Sequence, residues 1–240
     1  QGGISGYQWY AKIGSSGSWQ AINGATSATY SFVPGSYAVG DFWFKVVITG
    51  ADGGVTDSYD AGYTNVKITV VQAPQITSPA ATPAEGPLTQ TVTLSASVTS
   101  TETATYQWQE QIGGSWQAIN GATSVTSTVS VSDSAATTHS YRLIASNIGG
   151  SSTSSTVTYT SVAVPTISSV SASPTSGPLS QSVTLSATVS GATSLQWEEQ
   201  ISGTWTAISG ATSATSTVSV SDSAATTHSY RLIASNIGGS

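Results

Sequence analysis

Valine, leucine and isoleucine alternate with serine and threonine along much of this chain. VTLSASV at 92–98, STVSVS at 127–132 and STVTYTSV at 155–162 each set apolar against hydroxyl residues at successive positions. Side chains of an extended strand point alternately to opposite faces, so this period predicts strands buried on one side. Helices are not expected: Ser, Thr and Val are mediocre helix formers, and apolar residues do not recur at three-four spacing. Gly, Pro, Asn and Ser punctuate the runs. INGATS at 119–124 and ISGATS at 208–213 read as turns closing short hairpins. The expected class is all-β, with short strands closing into sandwiches.

The pattern repeats. Residues 126–151 (TSTVSVSDSAATTHSYRLIASNIGGS) and 215–240 are identical. Upstream, YQWQEQIGGSWQAINGATS at 106–124 answers LQWEEQISGTWTAISGATS at 195–213, and GPLTQTVTLSASV at 86–98 answers GPLSQSVTLSATV at 177–189. A diverged copy, YQWYAKIGSSGSWQAINGATS, occupies 7–27. Such internal self-similarity is read before anything else, because it fixes the architecture. It predicts three units: 1–72 without its first strands, 73–163 complete, and 164–240 without its last strand. Prolines recur in matching places, Pro74 with Pro165 and Pro83 with Pro174. They predict stiff, extended junctions and an elongated array. The incomplete end units predict a window on a longer array; strand donation from a neighbouring chain is the alternative.

Composition narrows the partners. Charged residues are only 7% of the chain, against roughly 25% in an ordinary domain. About a third of the residues are Ser or Thr. The net charge is −6 with five Lys and Arg in all, which argues against nucleic acid, since phosphates need cations to neutralise them. No apolar run is long enough for a membrane-spanning helix, and no membrane insertion is expected of this segment. The chain begins at Gln1, which reads as processed or cut. Cysteine and methionine are both absent, so disulfides are excluded and sulfur oxidation cannot occur. None of the five Asn heads an N-glycosylation signal; O-linked sugars stay open.

In the middle unit VTLSA (92–96) is followed by YQW (106–108) and then by DSAATTHSYRLIASNIGG (133–150). This resembles the tandem immunoglobulin-like repeats of bacterial and archaeal secreted or cell-surface proteins. The resemblance implies a core tryptophan on strand C, Trp108, with Ala96 and Leu143 where the disulfide cysteines would stand, and Tyr141 at the tyrosine-corner position. The last unit supplies the same set as Trp197, Ala187, Leu232 and Tyr230. The first unit supplies Trp9 as its core tryptophan, with Phe44 at the tyrosine position. Related surface repeats carry Lys–Asn or Lys–Asp isopeptide bonds. Residues 68–240 contain no lysine, which leaves only Lys12, Lys45 and Lys67 of the first unit for such a bond.

Candidate chemistry is sparse. Asp133, Ser134 and His139, repeated as Asp222, Ser223 and His228, hold the residue types of a catalytic triad. They sit together on one corner, and a Ser/Thr-rich loop with an incidental histidine is the expected reading. Two His, one in each of the later repeats, are too few for a His-based metal site. Asp52, Asp57 and Asp60 could offer carboxylates to calcium, but their spacing fits no EF-hand. Trp19, Trp116 and Trp205 recur once per unit; each could stack on a sugar ring or simply cover its hairpin. With so few titratable groups, little pH dependence of folding is expected.

No enzymatic activity and no cofactor are expected. The expected role is a structural repeat array of an extracellular or cell-surface protein, such as a surface layer, filament or stalk, which assembles with copies of itself and acts as a load-bearing spacer. An adhesin or carbohydrate-binding stalk, with surface glycans as partners, is the second reading. Accessory domains of a secreted enzyme are the third.

Overall fold

The computed structural model describes residues 3–33, 38–57 and 65–240. Every named element in them is a strand. The first repeat contributes β1 (Ile4–Ile13), β2 (Gln20–Ala21), β3 (Gly40–Gly50), β4 (Val55–Asp57) and β5 (Val66–Val70). They form one sheet in the order β2-β1-β3-β4, with β5 also paired to β3. Phe42 and Phe44 of β3 are buried beneath Phe32, whose ring lies 5.6 and 5.0 Å from theirs. The segment after the GATS turn thus covers this sheet. Trp9 is only partly buried, with Tyr30 6.2 Å from its ring.

The second repeat is a two-layer sandwich. Its strands are β6 (Gln75–Thr82), β7 (Glu85–Pro87), β8 (Thr89–Thr99), β9 (Thr105–Ile112), β10 (Ser115–Ala118), β11 (Thr126–Ser132), β12 (Thr138–Asn147), β13 (Gly150–Thr153) and β14 (Val157–Val162). One sheet runs β11-β8-β6; the other runs β10-β9-β12-β14-β7, with β13 added to the far half of β12. The three runs flagged by period two are all strands: VTLSASV lies in β8, STVSVS in β11, and VTYTSV is β14. Their apolar faces meet in the core. Val92 and Leu94 of β8, Trp108 of β9, Tyr141 and Leu143 of β12 and Tyr159 of β14 are each at most 1% exposed. A buried indole removes roughly 200 Å² from water, worth about 5 kcal/mol before entropy is counted. Ala96, on the same face of β8, is partly buried at the rim.

The third repeat follows the same plan with β15 (Thr166–Ser173), β16 (Ser180–Ser190), β17 (Ser194–Ile201), β18 (Thr204–Ala207), β19 (Thr215–Ser221) and β20 (Tyr230–Ser235). Its sheets run β15-β16-β19 and β18-β17-β20. Trp197, Leu185, Val183 and Leu232 form its core, with Ala187 and Tyr230 packed partly buried against it. The architecture is therefore all-β, in immunoglobulin-like sandwiches.

By packing, the chain divides into two compact units that do not follow the repeat borders. One takes residues 1–76, 98–106 and 144–153; the other takes 77–97, 107–143 and 154–240.

Pro83 and Pro174 are not at the junctions. Both follow cis peptide bonds immediately after the opening strand of their repeat. Pro83 lies where β6, paired to β8, gives way to β7, paired to β14. The chain changes sheets there, and a residue with no N–H to offer either ladder suits that step. Pro74 does sit at the junction, fully buried.

Candidate functional site

Four local devices recur: the second and third repeats carry all four, and the first repeat carries the first and the third. The first holds the core tryptophan. The indole N–H of Trp9, Trp108 and Trp197 donates to the carbonyl oxygen of Ser27, Ser124 and Ser213 at 2.9, 3.0 and 2.9 Å. The preceding glutamine, Gln8, Gln107 or Gln196, donates from its amide to two carbonyls, one on the tryptophan and one on Ile22, Ile119 or Ile208. The Gln-Trp dipeptide and the Gly-Ala-Thr-Ser turn are thus two halves of one lock, and every buried polar atom named has a partner.

The second device is at the corner. His139 bridges two carboxylates: Nδ1 lies 2.7 Å from Glu110 Oε1, and Nε2 lies 2.9 Å from Asp133 Oδ2. His228 repeats this with Glu199 and Asp222. The histidine is therefore not incidental to its loop. Its partner Glu110 stands on β9, far away in sequence. Desolvation opposes a charge on His139, but hydrogen bonds to Asp133 and Glu110 outweigh it and raise the pKa. For His228 the bonds to Asp222 and Glu199 lead, with the same outcome. Asp133 is held below the ordinary carboxylate range by the Ser161 hydroxyl first and by His139 second. A triad base needs one ring nitrogen turned to the nucleophile. Here both nitrogens face carboxylates, so His139 cannot take a proton from Ser134 in this arrangement.

Tyr141 stacks on His139 with ring centroids 6.3 Å apart, and burial first of all raises its pKa far above the ordinary phenol value. The phenol that reaches back to an upstream carbonyl is another one. Tyr159 donates to the Pro87 oxygen at 2.6 Å. The family resemblance points to Tyr141 for the tyrosine-corner position.

The third device concerns the once-per-unit surface tryptophan. Trp116 of β10 lies under the guanidinium of Arg142, 4.3 Å from the ring centroid; Trp205 lies under Arg231 at 4.5 Å. In the first repeat Lys12 and Lys45 each lie 5.1 Å from the Trp19 ring. One face of each indole thus carries a cation from its own repeat. Arg142 is steadied by Gln109 at 2.8 Å, Arg231 by Glu198 at 2.6 Å. Lys67 pairs with Asp41 at 2.8 Å on the exposed surface.

The fourth device is SNIGG, the turn after the strand carrying Leu143 or Leu232. Asn147 donates through Nδ2 to the Gln72 carbonyl at 2.9 Å and to Ser100 Oγ at 3.0 Å. Asn236 donates to the carbonyls of Ala163 and Gly191, both at 2.8 Å. Residues 72 and 163 belong to the segment entering the repeat, so the turn grips its own entry. The glycines let it close. A Cβ at Gly149 would come within 2.4 Å of the Val71 oxygen, and one at Gly238 within 2.2 Å of the Val162 oxygen. No signal short of these recurring contacts would have assigned the turn this role.

Of the acidic trio weighed for calcium, Asp60 lies outside the described residues. Asp52 Oδ1 accepts from the Gly54 N–H at 3.1 Å, an ordinary turn contact. Among the described residues, no group of three or more His, Cys, Asp or Glu is spaced to hold a metal ion.

No protein-family model matches the chain, and no curated protein matches it. Among solved structures it is similar to the FN1–FN3 domains of chicken CNTN1, at 16% identity and a TM-score of 0.33, covering 100% of this chain and 86% of that one. It is similar to a 1.5-MDa bacterial ice-binding adhesin at 15% identity and a TM-score of 0.34, covering 98% and 86%. A Dscam structure matches at 13% identity and a TM-score of 0.29, with 98% of this chain and 63% of that one covered. At such scores these likenesses carry no argument; the fold rests on the strands described above.

Proposed function

We propose that this chain is a structural segment of a secreted or cell-surface protein, a series of immunoglobulin-like repeats that acts as a load-bearing spacer and assembles with copies of itself. The observation that carries the reading is the doubled joint. Asn147 and Gly149 on residues 71–72, and Asn236 and Gly238 on residues 162–163, make the same contacts at two successive repeat entries. A binding module needs no copied joint, whereas a spacer needs each repeat held to the next in one way. A chain free of sulfur and poor in charge also suits long exposure outside a cell. Near-identical repeats with weakly charged surfaces can meet in repeated heterologous contacts, the route to filaments and lattices.

Electron microscopy of the protein isolated undenatured from its source tests the reading. Fibres or a lattice with a regular repeat are expected. Single unassociated molecules would overturn the assembly claim. A glycan-binding stalk would then need its tryptophans, and glycan binding lost on Trp116→Ala and Trp205→Ala would identify it.

A further inference from the structure

We propose that copies of this chain associate edge to edge through β11 and β19, each strand pairing its outer edge with the same edge of a second copy. The inference rests on the assembly reading above and names the surface that performs it.

Both strands have the sequence TSTVSVS, at 126–132 and 215–221. Each is the outer strand of a three-stranded sheet, β11 paired with β8 alone and β19 with β16 alone. The ladder decides which backbone groups are left over. The Ala96 N–H donates to the Val125 carbonyl, and the Asp133 N–H to the Leu88 carbonyl. Bonding direction alternates along an antiparallel strand, so residues 125, 127, 129, 131 and 133 face β8. Thr126, Thr128, Ser130 and Ser132 therefore turn their N–H and C=O groups outward. In the third repeat the Ala187 N–H donates to the Ala214 carbonyl and the Asp222 N–H to that of Leu179. Thr215, Thr217, Ser219 and Ser221 thus face outward in the same way. All of these outward residues are exposed. The segment leading into β11, 119–125, forms the turn that locks Trp108, so it lays no strand against the edge. Open space of about 380 Å³ lies there, between residues 128–132 and Ile119 and Asn120.

Sheet edges are ordinarily blunted by charge, proline, bulges or brevity. Other edges of this chain follow that rule. β6 carries Pro79 and the left-handed Ser78, and β15 the left-handed Ser169 beside a slip in register. β5 carries Lys67, and β10 and β18 are four residues each. β11 and β19 have none of these devices: both are seven residues long, uncharged, free of proline and unbroken in register. A neutral segment of alternating strand formers is the kind that pairs with its own likeness. It offers no charge to an oppositely charged partner. Run antiparallel, two such edges set outward residues opposite outward residues. Their Thr and Ser side chains then share one face and can bond across the seam. The occupant is therefore the same strand of another copy. Two equal edges per chain let association continue beyond a pair.

Sedimentation of the 240-residue chain over a concentration series should show association. Thr128→Pro combined with Thr217→Pro removes one outward N–H from each edge and no bond to β8 or β16. It should weaken association about tenfold or more, with circular dichroism unchanged. A second test does not depend on how the proline variant folds. The chain holds no cysteine. Ser130→Cys with Ser219→Cys should be linked between copies by a short two-headed maleimide far faster than Thr77→Cys with Ser168→Cys, exposed positions on the opposite edges. Undiminished association of a folded proline variant, or equal linking of the two cysteine pairs, would overturn the edge and leave assembly to another surface. A wild-type chain that stays single at every concentration would overturn the edge as well, and fibres in native material would then still support the assembly reading.

Discussion

Residues 126–151 and 215–240 have the same sequence but not the same structure. In the second repeat the stretch forms β12 from Thr138 to Asn147; in the third, β20 spans only Tyr230–Ser235. Tyr141 is 1% exposed, whereas Tyr230 is only partly buried; Leu143 is 0% exposed, Leu232 8%. The difference lies in what pairs with them. β14 bonds to residues 138–141 and roofs the core beside them with Tyr159. A strand's length and burial therefore belong to the sheet rather than to its own letters, as context-dependent strand propensity leads one to expect.

The largest expected effect breaks both repeats. Trp108→Ala and Trp197→Ala should each cost about 3–5 kcal/mol in their own repeat, read by denaturant melts, because each removes a fully buried indole. Next, Tyr159→Ala should make the second repeat resemble the third. About 3 kcal/mol of loss is expected, and amide exchange at Thr138–Ser140 should approach that at Thr227–Ser229. If those amides stay protected, β14's backbone alone orders β12. Third, Asn147→Ala and Asn236→Ala should each cost about 0.5–1.5 kcal/mol by removing hydrogen bonds at the joint. Both should loosen the repeat entry equally, seen as matching gains in local exchange at 72–73 and 163–164.

The smallest effect is pH dependence. The pKa of each histidine is raised in the fold. Its contribution is thus fully present below the unfolded value near 6.5 and lost as pH rises through the folded value. Asp133 is lowered, so its contribution holds above about 3.9 and fades as pH falls through its folded value. Melting temperature should rise on mild acidification from neutral and fall again in strong acid. His139→Gln and His228→Gln should each flatten the first limb. This adds a real slope to a chain whose few titratable groups predict almost none.

Much of the candidate site was legible in part. The corner histidine and Asp133 stand six residues apart and could be noticed together, but Glu110 is 29 residues from His139 and joins them only when β9 lies beside β12. Trp116 was visible as a recurrent tryptophan, whereas the Arg142 over it comes from a different strand. Asn147 in SNIGG gave no sign of its partner 75 residues upstream, Gln72.

By itself the sequence determined the all-β class, the repeat and the strands marked by period two. Those follow from side-chain alternation and from copied letters, both local properties. Tertiary structure decided how far each strand runs, which carboxylates meet each histidine, where Pro83 turns the chain between sheets, and what the SNIGG turn grips. Each of these depends on which distant strand lies alongside, and identical letters at 126–151 and 215–240 cannot encode two different neighbours.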